Sequence, residues 1–170
     1  AQFPNGGWPQ VYPIEGGYHD NITFNDDAMT RILELLDAIV RNEPYYAFLD
    51  ESLRRKAADA RASGIRCVLQ AQVTQNGKKT VWCAQHDSLT LRPDRARAME
   101  PATLSGSESA HLLRFLMIIT NPAPDIVASI EGGLAWLESA KITGLARTVR
   151  NGRTLYVTNA ASSEIYWARF

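Results

Sequence analysis

Four segments of the chain carry apolar residues at spacings of three and four, and this pattern restricts the fold more than any other feature. The first segment begins at Asn25 and ends before Pro44, and the second runs from about Asp50 to Gln72. In the first segment the repeating positions are Met29, Ile32, Leu33, Leu36, Ile39 and Val40. Such periodicity predicts amphipathic helices that each bury one face.

The third and fourth segments begin at recognisable helix starts. Ser105 and Glu108 have the spacing of a capping box, and Pro124 suits the first turn of a helix. Residues 76–77 are Asn-Gly, which predicts a tight turn, and residues 148–157 have the pattern of a β-hairpin. The sequence therefore predicts antiparallel helix hairpins with small β-hairpin elements.

The composition is that of an ordinary globular domain. The chain has 170 residues, of which 45% are hydrophobic, which is enough for one domain with a sizeable core. Lys plus Arg and Asp plus Glu both number 18, so net charge predicts neither a nucleic-acid nor a membrane partner. No apolar run approaches the roughly 18 residues of a membrane helix.

One pattern recurs after about seventy residues. Residues 2–10 and residues 72–85 share a glutamine, an Asn-Gly pair and a tryptophan in the same order, and each precedes a predicted helix. The two tryptophans, Trp8 and Trp82, are predicted to fill the core of their hairpins. Stacked hairpins of this kind close into an α/α toroid, and two of them would make a slice of one.

The connection between the second and third predicted helices is unusually polar. It contains an indole, an amide and an imidazole within residues 81–87, and three arginines within residues 92–97. Binding groups concentrate on loops that a rigid scaffold positions. The local basic cluster favours an anionic ligand, and a solvated basic surface is the alternative. Its members are Lys78, Lys79, Arg92, Arg95 and Arg97.

Six segments, in this order, resemble the pectate lyases of polysaccharide lyase family 10. They are residues 5–13, 22–29, 82–86, 96–100, 104–109 and 167–170. The resemblance covers nearly the whole chain. It implies an all-α fold, an α/α toroid or part of one, and calcium-dependent β-elimination of polygalacturonate.

The resemblance also assigns roles to individual residues. Asp26 matches the acidic residue of a Phe-Asn-Asp motif that serves the calcium and substrate carboxylate site. Arg97 matches the arginine proposed as the base, and Arg169 matches a substrate-binding arginine. Two positions depart from the family pattern, because Met99 and Ala168 stand where the family has aromatic residues.

Three further residues are expected to contact substrate: Tyr18, Asn25 and His86. Each assignment has a structural alternative. His86 alone is more often a hydrogen-bonded structural imidazole. Asp26 near a helix start would serve as a cap, and Arg97 would form a surface ion pair.

Other expectations follow from the resemblance as a whole. Residues 1–170 would be a single segment of a catalytic domain, shorter than the family at both ends, monomeric, and secreted to reach a polymeric substrate. Two alternatives remain open, a non-catalytic uronate-binding half-toroid and a terpene cyclase-like toroid. Calcium-dependent formation of unsaturated product separates the lyase from a binding module.

Overall fold

The structure is a computed structural model and describes residues 1–168. Within them lie four α-helices close to the predicted positions: α1 (Ala28–Val40), α2 (Glu51–Ala71), α3 (Gly106–Met117) and α4 (Pro124–Ser139). Asp50 caps α2, since its carboxylate accepts a hydrogen bond from the Leu53 amide at 2.8 Å. Pro124 lies in the first turn of α4 as predicted. The helical periodicity of the sequence is therefore confirmed.

Helices α1 and α2 form an antiparallel hairpin. The buried Asp37 of α1 forms ion pairs through its two oxygens with Arg61 of α2 and with Arg41, at 2.8 Å each. Gly64 lies where the hairpin is tightest, because a Cβ there would come within 2.8 Å of Leu33 and 2.7 Å of the Trp8 ring. Close packing thus explains a glycine that would otherwise weaken the helix.

Six short strands form three two-stranded antiparallel sheets within the described residues. The pairs are β1 (Ile22–Thr23) with β4 (Gln85–His86), β2 (Thr74–Gln75) with β3 (Lys78–Lys79), and β5 (Leu145–Arg150) with β6 (Arg153–Thr158). The predicted Asn-Gly turn joins β2 to β3, with positive φ at both residues. The prediction of an all-α toroid was wrong, because helix hairpins are combined with small sheets, one of which joins two distant loops.

The predicted repeat has a structural counterpart. The side-chain amide of Gln2 donates to the carbonyls of Gly6 and Ala60, at 2.8 and 2.9 Å. The amide of Gln72 donates in the same way to the carbonyls of Thr80 and Ser129, at 2.8 and 2.9 Å. Each glutamine therefore joins its own turn to the second helix of the hairpin that follows it in the repeat.

The core lies between the two hairpins and is centred on Trp82. This residue is fully buried, and its indole N–H donates to the Val68 carbonyl at 2.7 Å. Packed with it are Ile22, Phe24, Met29, Leu33, Leu112, Leu113, Phe115 and Leu116. The core prediction is confirmed for Trp82, while Trp8 is half-buried against the core. No helix of the described chain is long and apolar enough to cross a membrane.

Candidate active site

Pairing of β1 with β4 fixes two loops that are sixty residues apart in sequence. Beside this pair, the amides of Phe24 and Asn25 both donate to the Ala84 carbonyl at 2.9 Å. The loop that ends in the two aspartates is thereby attached to the polar loop that contains the arginines. Backbone hydrogen bonds therefore join the two loops of the candidate site.

Two consecutive aspartates, Asp26 and Asp27, lie in the left-handed region, with φ of 53° and 60°. This conformation is uncommon for residues other than glycine, although aspartate tolerates it better than most. Asp27 occupies the N-cap position of α1, yet no side-chain capping bond forms there. Asp26 instead accepts a hydrogen bond from the Asn25 amide group at 2.7 Å. The capping interpretation therefore does not account for either carboxylate.

Asp26 is exposed at the edge of a cavity of about 240 Å³. Ser107 and Glu108, in the first turn of α3, also line this cavity, as does Trp167. Glu108 is buried and accepts a hydrogen bond from the Ser105 hydroxyl. Since Ser105 makes no side-chain bond to the helix backbone, the predicted capping box is not formed.

Arg97 does not line this cavity, and 69% of its side chain is exposed. Its Nε donates to Glu100 at 2.9 Å, and a second guanidinium nitrogen contacts the other oxygen of that carboxylate. The Glu100 carboxylate raises the pKa of Arg97, and the Asp26 carboxylate adds to the effect. The Asp26 charge therefore reaches Arg97, and Arg97 is a guanidinium cation in this geometry.

Two other predicted contacts border the same region. Tyr18 lines a shallow cavity of about 350 Å³ together with Asp94 and Arg95. That cavity is held in shape by the Asp94 carboxylate, which accepts a hydrogen bond from Asn21 at 2.8 Å. Asn25 lines a smaller neighbouring cavity. The tyrosine and the amide therefore line two cavities that are separate from the one at Asp26.

His86 is placed differently from the other predicted residues. It is fully buried, and its Nε2 accepts a hydrogen bond from the Cys83 amide at 3.0 Å. Its Nδ1 then carries the proton and donates to the Leu91 carbonyl at 2.8 Å. The ring also packs edge-on against Phe24 at 5.4 Å. Because both nitrogens are occupied away from the surface, the geometry fits the structural alternative, in which His86 holds the loop.

The burial of His86 predicts an acid-sensitive fold. Burial lowers the pKa of His86 from 6.5 to about 4, against a smaller opposing effect of its bond to Leu91. In the unfolded chain His86 is protonated below pH 6.5, whereas in the folded chain it stays neutral until about pH 4. Protonation therefore favours the unfolded chain in this range, and the free energy of unfolding falls as pH falls. The loss from this group approaches about 3 kcal/mol at the lower end.

Urea denaturation of the wild type and of His86→Gln at pH 7, 5.5 and 4 measures this loss. We expect the variant to be less stable at pH 7 and to have a shallower pH dependence. An equally steep dependence in the variant would place the acid sensitivity elsewhere.

Comparison with known proteins identifies the chain's family. The family model for pectic acid lyase matches residues 1–170. The chain belongs to the pectic acid lyase family. This assignment confirms the resemblance in the sequence and removes the terpene cyclase-like alternative.

Two solved structures are similar to this pectic acid lyase family member. One is a family 10 polysaccharide lyase from Cellvibrio cellulosa, and the other is a mutant of it in complex with trigalacturonic acid. Each is 36% identical with a TM-score of 0.89, over 99% of this chain and 53% of the other. The chain thus spans about half the length of the similar structures. No curated protein matches it significantly.

Calcium was predicted to bind at Asp26. In residues 1–168, no group of three or more His, Cys, Asp or Glu side chains is arranged to hold a metal. An exposed carboxylate is suitable chemistry for a hard cation, but Ca²⁺ takes six to eight oxygen ligands. Asp26 therefore fits as one of the several oxygen ligands that a calcium ion would need. The predicted substrate arginine, Arg169, lies outside the described residues.

Three residues near the site were not predicted from the sequence. Glu108 was attributed to helix capping, and Trp167 was seen only as part of a motif. His111, on α3, contacts the Asp27 carboxylate at 2.7 Å. Only the three-dimensional path of the chain brings these side chains to the aspartates, so spacing in sequence gives no signal for them.

Proposed function

We propose that this chain forms the part of a pectate lyase that binds polygalacturonate and cleaves it by β-elimination. The observation that carries the proposal is the electrostatic influence of Asp26, which lines a cavity, on Arg97, in a chain of the pectic acid lyase family. The similarity to a lyase in complex with trigalacturonic acid supports an acidic oligosaccharide as the ligand.

The reaction requires a base and stabilisation of negative charge. A base removes the proton at C5 of a galacturonate unit, the C5–H electrons form the C4=C5 double bond, and the C4–O bond breaks. The departing oxygen takes a proton from water or an acid. Because negative charge develops on the adjacent carboxylate, cationic groups placed there lower the barrier.

The Asp26 carboxylate would bind a cation, whereas the Arg97 guanidinium would act on the anionic substrate. An ion shared between the Asp26 carboxylate and the substrate would neutralise the uronate, and calcium supplies that Lewis acidity when bound. Further ligands would include oxygens of the substrate and water. Asp26 thereby orients the carboxylate whose neighbouring proton is removed.

Arg97 is proposed as the base, following the family pattern. Its contact with Glu100 opposes this role, because that carboxylate is the largest cause of the raised pKa. To act as the base, Arg97 must therefore leave Glu100 and release its own proton to solvent before it takes the C5 proton. In the paired state the guanidinium suits a second task, a bidentate contact with a uronate carboxylate.

The remaining expectations belong to the same proposal. Arg169 would bind another uronate carboxylate, and Tyr18 and Asn25 would contact the sugar. Secretion follows from the polymeric substrate, and a monomeric state is part of the same proposal. A uronate-binding module without turnover is the second candidate, and the Arg97–Glu100 pair favours it because a paired guanidinium is a poor base.

Mass spectrometry of the products from a defined oligogalacturonate tests the proposal. Elimination yields an unsaturated fragment, lighter by one water than the fragment that hydrolysis yields at the same bond. We expect the unsaturated fragment in the presence of calcium and not in the presence of a chelator. Retention of the oligosaccharide with no cleavage would support the binding module, and hydrolytic fragments would contradict both candidates.

A further inference from the structure

A second cavity lies between α1 and α3, one helical turn from the cavity at Asp26. Its volume is about 200 Å³, and Asp27, Thr30, Arg31, His111, Arg114 and Phe115 are among its lining residues. One water occupies roughly 30 Å³ of liquid, so the space holds a few waters or one small ligand. Nothing in the proposed elimination uses these side chains.

The floor of this cavity is a fixed Asp–His pair. Asp27 Oδ1 lies 2.7 Å from His111 Nδ1. An ionised carboxylate only accepts hydrogen bonds, so Nδ1 carries the proton and donates. Nε2 of His111 has no hydrogen-bond partner within residues 1–168 and is left for a ligand.

Thr30 supplies an unused polar group. Its side chain lines the cavity, is 2% exposed, and its hydroxyl has no hydrogen-bond partner in the described chain. A buried polar group without a partner costs stability, and few occur in native proteins. Something that enters the cavity would satisfy this hydroxyl.

The charges around the cavity select the kind of ligand. Arg114 forms no ion pair among the described residues, whereas Arg31 contacts Glu34 at 3.1 Å. The two carboxylates of the lining, Asp27 and Glu34, contact His111 and Arg31, so the Arg114 guanidinium is left to bind a carboxylate. Thr30 and Glu34 can accept hydrogen bonds from hydroxyls, and the Phe115 ring offers an apolar wall. A carboxylate, several hydroxyls and an apolar C–H face together describe one unit of a sugar acid.

We propose that this cavity binds a single uronate unit, in contact with His111, Thr30 and Arg114. Ser107 of the first cavity and His111 of the second are four residues apart on α3, and such side chains are neighbours on a helix. The cavity is therefore a second subsite next to the cleavage site. The choice of a uronate rests on the proposed function, while the presence of a polar ligand site does not.

Titration of the isolated chain with galacturonate, followed by the imidazole NMR signals, tests this assignment. The chain has three histidines, so the signals can be assigned individually. We expect the His111 signal to shift saturably with galacturonate and much less with galactose, which lacks the carboxylate. The buried His86 signal should stay unmoved and reports that the fold is intact.

Two matched variants separate a ligand site from a structural cavity. Thr30→Val removes the unpartnered hydroxyl with little change of shape, and we expect about tenfold weaker galacturonate binding. Ser129→Ala removes another buried hydroxyl without a partner, on α4 and outside the cavity, and should bind as the wild type does. Arg114→Gln should weaken galacturonate binding and leave galactose binding unchanged.

Three results would overturn the assignment: a His111 signal that galacturonate does not shift, equal shifts with galactose, or wild-type affinity in Thr30→Val. Its failure is distinguishable from failure of the proposed function. Unsaturated product without a His111 response overturns the subsite alone. A saturable His111 response without product overturns the lyase assignment and leaves the ligand site.

Discussion

Replacing Asp26 with asparagine is expected to reduce the formation of unsaturated product by about 10²–10³-fold, the usual loss when a preorganised electrostatic group is removed. Asparagine keeps the left-handed backbone, because it tolerates positive φ as aspartate does. The change therefore removes the charge and little else. Initial rates on polygalacturonate at several calcium concentrations measure the loss, which excess calcium should only partly reverse.

A matched control is Asp59→Asn. Asp59 is an exposed aspartate on α2 with no ion pair among the described residues. It is expected to keep the wild-type rate and calcium dependence. If Asp26→Asn also keeps the wild-type rate, Asp26 is not part of the site.

Trp82→Ala is expected to lower the free energy of unfolding by about 3–5 kcal/mol, the range for large aromatic residues removed from a core. Trp82 is fully buried in the centre of the core, so its loss leaves a cavity between the two hairpins. The Val68 carbonyl also loses its indole donor. Urea denaturation followed by circular dichroism measures the change.

Trp82→Phe separates the two effects, because it keeps most of the volume and removes the indole N–H. Tyr45→Ala is the surface control, since Tyr45 is 86% exposed and its loss should change stability by less than about 0.5 kcal/mol. A Trp82→Ala protein as stable as this control would contradict the description of the core.

The helices could be predicted because their signals are local. Capping residues, prolines and a repeated apolar spacing placed α1 to α4 close to their observed bounds. The pairing of β1 with β4 could not be predicted, because two-residue strands carry no periodicity and their partner is sixty residues away. This is the physical reason why the all-α class was wrong.

The site residues likewise include some that the sequence could predict and some that it could not. The resemblance pointed to Asp26 and Arg97, and the structure places their charges near each other. It gave no means of distinguishing a buried histidine from an exposed one, so His86 was predicted as a contact although both ring nitrogens bond to the backbone. Glu108 was missed because its spacing from Ser105 predicted a capping box, which the structure does not form.

The measurement that tests the central claim most directly is the ultraviolet absorbance of unsaturated uronate, released from polygalacturonate with calcium, for the wild-type chain and for Arg97→Ala. We expect a signal from the wild type that a chelator removes. We also expect Arg97→Ala to lower this signal by at least about 10²-fold. A wild-type chain that releases no unsaturated product, or an Arg97→Ala variant with the wild-type rate, would contradict the central claim.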